Sequence, residues 1–251
     1  MTDLPGGMPD GVDVTVPHAA RAYDYALGGV HHFEADRELW RAVEKALPGA
    51  GLIAQANRAF VGRAVRHLAD LGVRQFLDLG SGLPTVGAVH EAAPHARVVY
   101  VDVDPVVVRL SRSLAADRPS VVAVQGDLRD PEAILNDPDV QRVLDLGEPV
   151  AVLVTAVLAV VPDADRPDRI VARLGEAVVS GSHLVLSHPT TGDLRRVCRS
   201  YVSRTAEDVS ALLAPFVPDS AGLVAATAWR PDPDVEELPQ PSLLATVAVK
   251  P

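Results

Sequence analysis

The hydrophobic positions along the chain change rhythm once, near residue 73. Before that point they recur at helical spacing. The stretch "PHAARAYDYALGG" (17–29) opens on proline and closes on a glycine pair, which punctuates a short helix. In "FEADRELWRAVEKALPG" the residues Phe33, Leu39 or Trp40, Val43 and Leu47 recur every third or fourth place, and Pro48 and Gly49 stop the run. "GLIAQANRAFVGRAVRHLADLG" puts Ile53, Ala56, Phe60, Ala64 and Leu68 on one face and ends at Gly72. Three helices are therefore predicted before any strand.

Beyond residue 73 the apolar runs become short and rich in β-branched residues. "RQFLDLG", "ARVVYVDV", "SVVAVQGD", "EPVAVLVTA" and "SHLVLSH" read as strands. Helical stretches separate them: Pro84 to Ala93, Pro105 to Ala116, a helical or irregular 131–146, and Arg166 to Val178. The strands are apolar at nearly every position, as strands covered on both faces are. Strand and helix in alternation predict an α/β fold with a doubly wound parallel sheet. The tail predicts a helix from Thr205 to Leu213, capped by Thr205. It also predicts two strands, "GLVAATAWRP" and "PSLLATVAVKP", forming a terminal hairpin at the sheet edge across the acidic loop "DPDVEELPQ". Residues 1–16, rich in Gly, Pro and Asp, read as a flexible N-terminus.

Composition narrows the functional classes. With 251 residues, 48% of them hydrophobic, the chain can build one sizeable core. A formal net charge of -10 repels phosphate backbones and disfavours nucleic acid as a partner. The single cysteine, Cys198, can form neither an intrachain disulfide nor a cysteine-built zinc site. No apolar run reaches the roughly 18 residues that span a bilayer, and the N-terminus has no signal-peptide core. These features predict a cytoplasmic protein without a membrane partner. Oligomeric state is left open, a homodimer included.

Candidate chemistry gathers at the strand ends, where doubly wound sheets bind ligands. "DLGSGLP" offers Gly80 and Gly82 for close backbone approach. A dinucleotide fingerprint needs a third glycine where the chain has Thr85, and a P-loop needs a lysine that is absent. Asp102, 22 residues after Gly80, can accept from both ribose hydroxyls. Asp127 can accept from the adenine amine while the Leu128 N–H donates to the ring. Asp78 lies beneath the loop; a carboxylate there suits a cationic ligand and opposes a pyrophosphate. The set describes an adenosine site for S-adenosylmethionine, a sulfonium and ammonium ligand without phosphate.

At these residues the chain resembles the class I S-adenosylmethionine-dependent methyltransferases. It is more narrowly similar to the actinobacterial S-adenosyl methyltransferase family (DUF574). The carrying motifs are "ARAYDYALGGVHHFEADR", "QANRAFVGRAVRHL", "QFLDLGSGLPTVGAVHE", "VVYVDVDPVVV", "GDLRDPEAIL" and "GSHLVLSH", spanning nearly the whole chain. The resemblance implies a seven-stranded Rossmann-like sheet with an antiparallel last strand. It implies an N-terminal helical cap or lid over 17–73 and a cofactor domain over 74–251. Gly80, Ser81 and Gly82 would take the methionyl part, Asp102 and Val103 the ribose side, Asp127 and Leu128 the adenine. Thr155 would face cofactor or acceptor, with Tyr23 over the cofactor. The chain departs from the family on the acceptor side, with Ala159 where relatives tend to show histidine and "GGVHHF" for "GGKDNF".

Three functions stay open at this level. One is methyl transfer to a small molecule, in the setting of secondary metabolism. Another is attack at the cofactor's other carbons, giving aminocarboxypropyl transfer or ring closure with release of methylthioadenosine. The third is a cofactor-binding regulator. His188, His32 and Tyr25 are the candidates for a base, although each also fits a purely structural place. Arg58 fits either the methionyl carboxylate or a salt bridge. Arg195, Arg196, Arg199 and Arg204 read by default as a solvated basic face. No residue pair at metal-ligand spacing appears.

Overall fold

The structure is a computed structural model that describes residues 13–190, 194, 197–231 and 243–251. Helices α1 (Ala19–Ala26), α2 (Glu34–Ala46) and α3 (Ala50–Asp70) precede the first strand. Five parallel strands follow: β1 (Gln75–Leu79), β2 (Arg97–Asp102), β3 (Val121–Gln125), β4 (Ala151–Thr155) and β5 (His183–Pro189). Between them run α4 (Val89–Ala92), α5 (Pro105–Leu114), α6 (Pro131–Leu135), α7 (Pro138–Val143) and α8 (Pro167–Ala177). After β5 come α9 (Ala206–Ala211), β6 (Val217–Pro218), β7 (Val224–Ala225) and β8 (Leu243–Val249). The sheet order is β3-β2-β1-β4-β5-β8-β6, with β7 also paired to β8. Strand order reverses between β1 and β4, which opens a crevice at their carboxyl ends.

Both faces of the sheet are covered. On one side Phe60, Ala64, Val65 and Leu68 of α3 pack with Phe76, Leu153 and Val185. On the other, Ile170, Val171 and Leu174 of α8 pack with Val152 and Leu184. Each fully buried side chain of this size contributes about 1.5–3 kcal/mol. A small third cluster joins Leu83 to Val106, Val107 and Leu110, with Ala20 and Phe33 against it. It seats α1 on the loop after β1. No helix of the described residues is long and apolar enough to cross a membrane.

Three predicted elements differ. The helix expected over Pro84 to Ala93 contracts to α4, because Gly87 adopts φ +61° and interrupts the right-handed helix. "GLVAATAWRP" contributes only Val224 and Ala225 to the sheet. Its remainder turns inward, where Arg63 donates to the carbonyls of Trp229 (3.1 Å) and Ala226 (2.6 Å). Trp229 is fully buried edge-on to Phe60, 5.4 Å between ring centres. That apolar run fills the core instead of extending a strand. Finally, β8 lies between β5 and β6, so the last strand is interior to the sheet order. The acidic loop 232–240 lies outside the described residues, as do residues 1–12 of the N-terminal segment 1–16.

Candidate functional site

The loop after β1 is shaped by close contact with the loop after β4. Gly80 has φ +63° and Gly82 φ +60°. A Cβ on Gly80 would lie 2.9 Å from Val157 Cβ and closer still to its methyl. Gly80→Ala is therefore expected to lose about 2–4 kcal/mol, combining the positive-φ penalty with overpacking. Urea denaturation checks this, and a Val157→Ala background should recover only the steric part.

Asp102 ties this loop to β2. Its two oxygens accept from Gly82 N and Asp104 N, both at 2.9 Å. Burial raises its pKa, against these two donors and the nearby His18. Each oxygen keeps a second lone pair for a ligand hydroxyl. Val103, the next residue, exposes 52% of its surface at the strand end, an apolar face open to a ring. Asp104 turns the other way: it caps α5 through Val106 N and faces Arg21 at 3.3 Å and His18 at 3.2 Å.

Thr85, at the place of a missing third glycine, donates to Asp24 of α1 at 2.6 Å. The second Asp24 oxygen accepts from His31 N at 2.8 Å. Gly29 is required beside it, since a Cβ there would collide with the Asp24 carboxylate. Thr85 thus fastens α1 to the glycine loop.

Asp78 lies one register step before the end of β1, paired with Tyr100 and Leu153. It is 4% exposed and accepts no hydrogen bond from the described residues. Burial pushes its pKa up to about 7; Arg58 pulls it down and Asp102 adds to the rise. Arg58 lies over the Tyr23 ring at 5.9 Å, and its buried Nε has no hydrogen-bond partner among the described residues.

The Tyr23 hydroxyl is already engaged. It donates to the Ala54 carbonyl at 2.9 Å and accepts from Asn57 Nδ2 at 3.0 Å. Asn57 Oδ1 in turn accepts from Ser187 Oγ at 2.5 Å, and that oxygen accepts from Ala156 N at 3.0 Å. This buried chain links α1 and α3 to the end of β4. Ala156 holds φ +58°, an uncommon conformation for a side-chain-bearing residue and one concentrated at ligand sites. Sequence reasoning missed Asn57, Ala156 and Ser187; only Asn57 left a signal, as the neighbour of Arg58 in "QANR". Thr155, half-buried, stands beside Ser187 in the β4–β5 register.

At the end of β3, Asp127 is occupied by a residue the sequence reading did not use. Arg129 donates through its backbone N and its Nε, both at 2.9 Å, and lowers the Asp127 pKa. Arg129 also reaches Asp165 at 3.6 Å. Leu128 is buried beside it.

The base candidates separate. His188 is fully buried. Its Nδ1–H donates to the Pro189 carbonyl at 2.8 Å, and its Nε2 accepts from Arg204 at 3.0 Å. Arginine can only donate, which fixes this tautomer. Burial first, and Arg204 as well, hold its pKa down to about 4. With both nitrogens engaged and no exposed surface, His188 is a structural tie, which corrects its candidacy as a base. His32 and Tyr25 meet edge-to-face at 4.9 Å beside α2, where Arg37 donates to His32 Nδ1 at 3.1 Å. Arg204, expected on a solvated face, is buried and bonds the Leu158 and Val161 carbonyls and Asp163. Arg195 and Arg196 lie outside the described residues.

The family profile described as S-adenosyl methyltransferase matches residues 6–251. The chain belongs to the S-adenosyl methyltransferase family. It is an S-adenosylmethionine-dependent transferase with a Rossmann-like methyltransferase fold. A DUF574-family protein from Streptomyces avermitilis is similar at 36% identity, covering 95% of this chain and 99% of that one with TM-score 0.89. A candidate methyltransferase from Thermobifida fusca is similar at 39% identity, covering 96% and 98% with TM-score 0.89. Magnesium protoporphyrin IX methyltransferase from Synechocystis, crystallised with S-adenosylmethionine, shares the fold at 16% identity, 97% and 100% coverage and TM-score 0.54. No curated protein matches the chain.

The residues present suit this family's cofactor. Asp78 is a buried carboxyl that accepts no hydrogen bond from the described residues, which suits an ammonium-bearing ligand, and the loop beside it carries two positive-φ glycines. A cavity of about 380 Å³ adjoins the loop at Gly87. A larger open depression, about 580 Å³, runs along α9 but is lined by none of the strand ends.

Proposed function

We propose that this protein transfers the methyl group of S-adenosylmethionine to a small-molecule acceptor. The observation that carries the reading is Asp78, a buried carboxyl without a hydrogen-bond partner behind a loop of two positive-φ glycines. In this reading Asp78 takes the ammonium, and the backbone from Gly80 to Gly82 lies along the methionyl chain. Asp102 takes the ribose hydroxyls through its unused lone pairs. Val103 supplies an apolar face to the adenine, while Asp127 and the Leu128 N–H read its edge once Arg129 shares or releases the carboxylate.

When bound, the cofactor supplies the electrophilic methyl. The chain's own contribution is to hold the acceptor in line and exclude water. Thr155 and the fixed turn at Ala156 form the acceptor-side wall. The buried ties Thr85–Asp24 and Tyr23–Asn57–Ser187 hold α1 and α3 against that wall. His32 and Tyr25, which pack edge-to-face beside α2, remain the candidates for a base, His32 only once Arg37 releases its Nδ1.

The test is calorimetry with S-adenosylhomocysteine, followed by identification of the nucleoside formed from S-adenosylmethionine and candidate acceptors. Binding, and formation of S-adenosylhomocysteine, are expected. Accumulation of methylthioadenosine instead would show that a different carbon–sulfur bond breaks. No binding of either nucleoside would remove the reading altogether.

A further inference from the structure

The start of α1 meets a crowd of carboxylates at the end of β2. Asp36 of α2, Asp102 and Asp104 are all buried, at 0%, 6% and 6% exposure. Arg21 of α1 is the permanent cation among them, 3.5 Å from Asp36 and 3.3 Å from Asp104. Three carboxylates against one guanidinium leave an excess of two negative charges when all are ionised. The titrating group that faces them is His18, whose side chain is 32% exposed and whose Nδ1 lies 3.2 Å from Asp104 Oδ2.

His18 Nδ1 stands between two uses that exclude each other. As a lone pair it accepts from Ala20 N, at a long 3.4 Å, and caps α1. As an N–H it donates towards Asp104. A ring nitrogen does one or the other. In the capping state its lone pair faces Asp104 Oδ2, which is buried with no hydrogen-bond partner among the described residues. Protonation turns that opposition into a charge-assisted contact. Asp36 fixes the backbone beneath the ring, since its oxygens accept from His18 N and Phe33 N, both at 2.8 Å.

Asp104 passes the effect to Asp102. Its backbone N donates to Asp102 Oδ1 at 2.9 Å, which holds the two carboxylates side by side. The charge of Asp104 raises the Asp102 pKa and that of His18 lowers it, both acting beneath the larger effect of burial. Asp78 also acts on Asp102 from β1. An ionised carboxylate accepts from ribose hydroxyls more strongly than a protonated one.

We infer that His18 is a positioning residue for nucleoside binding: its protonated ring, paired with Asp104, offsets the negative charge beside Asp102 and strengthens the hold of Asp102 on the ribose. The inference rests on the reading that an S-adenosyl nucleoside lies at the strand ends with its ribose at Asp102. Protons and nucleoside then bind cooperatively through His18.

Methylthioadenosine tests this on the full chain, because it keeps the ribose and lacks the amino-acid end that Asp78 would meet. His18→Asn keeps a capping side chain on α1 and loses the charge. By calorimetry the variant should match the parent at pH 8 and fall behind it about fivefold at pH 6, the low end of ordinary coupling between sites. Any slope that Asp78 adds is common to both proteins and cancels in the comparison. Linkage supplies a check that needs no variant. Saturating the parent with methylthioadenosine should raise the midpoint of the His18 ring NMR titration by the factor seen in affinity. Equal pH slopes in the two proteins would reduce His18 to a helix cap and overturn the inference, and so would a His18 midpoint that nucleoside does not move. Failure of the parent to bind any nucleoside at either pH is a different result: it removes the reading of the strand ends, and this inference with it.

Discussion

Asp78→Asn should raise the unfolding temperature at pH 8 while weakening S-adenosylhomocysteine binding at least tenfold. Both effects come from one buried carboxyl. Its pKa rises from 3.8 to about 7, chiefly through burial. A group raised in the folded state binds a proton that the unfolded chain has already released. Its favourable contribution is present in full below about pH 4 and is lost as pH rises to and through about 7. The total loss is on the order of 4 kcal/mol, at about 1.4 kcal/mol per pH unit. Asparagine carries no charge to bury, so its stability should be flat over this range where the parent's falls. The two proteins should melt together near pH 4 and diverge by several degrees at pH 8. Binding runs the other way, because only the ionised carboxylate attracts an ammonium. Parent affinity for S-adenosylhomocysteine should climb between pH 5.5 and 7, and the asparagine variant's should not. Parallel stability slopes in the two proteins would show that Asp78 does not titrate as described.

Arg204→Met should cost about 3–5 kcal/mol, read from the urea midpoint. The guanidinium is 4% exposed, while its partner Asp163 is 77% exposed, so the lost ion pair itself matters little. The cost arises from what remains buried. The Leu158 and Val161 carbonyls lose their donor, and so does His188 Nε2. Each such orphan costs about 1–3 kcal/mol. Arg204→Met with His188→Leu removes one orphan and should recover about 1 kcal/mol or more. Because Leu158 lies within, and Val161 closes, the turn whose first residue Val157 packs on Gly80, S-adenosylhomocysteine affinity should fall with stability. A midpoint within the range of ordinary surface substitutions would remove this tie from the account.

These two residues show unequal legibility. Asp78 was visible as a carboxylate ending an apolar run before glycines. Arg204 was one of several arginines in a polar stretch, and nothing local distinguished it from a solvated cation. Its partners come from residues 158–163 and 188, brought together only by the parallel pairing of β4 with β5. His188 erred in the opposite direction. A histidine at a strand end in this fold lies where ligands bind, but the chain returning at Arg204 covers it. Trp229 likewise sat in an apolar run of strand-like composition, and its destination was set by Arg63, 166 positions earlier.

Local pattern therefore determined the α/β class, the helices before the first strand, the five parallel strands and the carboxylates at their ends. Those features follow from periodicity and from the backbone freedom of glycine, both encoded within a few neighbouring residues. Tertiary structure alone decided which of those groups remain unengaged. Among the described residues Asp78 and Arg58 Nε are left without hydrogen-bond partners, whereas His188 and Tyr23 are satisfied by residues from other elements; Asp127 is engaged more locally, by Arg129 two positions on. Hydrogen-bond satisfaction is a property of packed surroundings, and those surroundings exist only once distant segments have met.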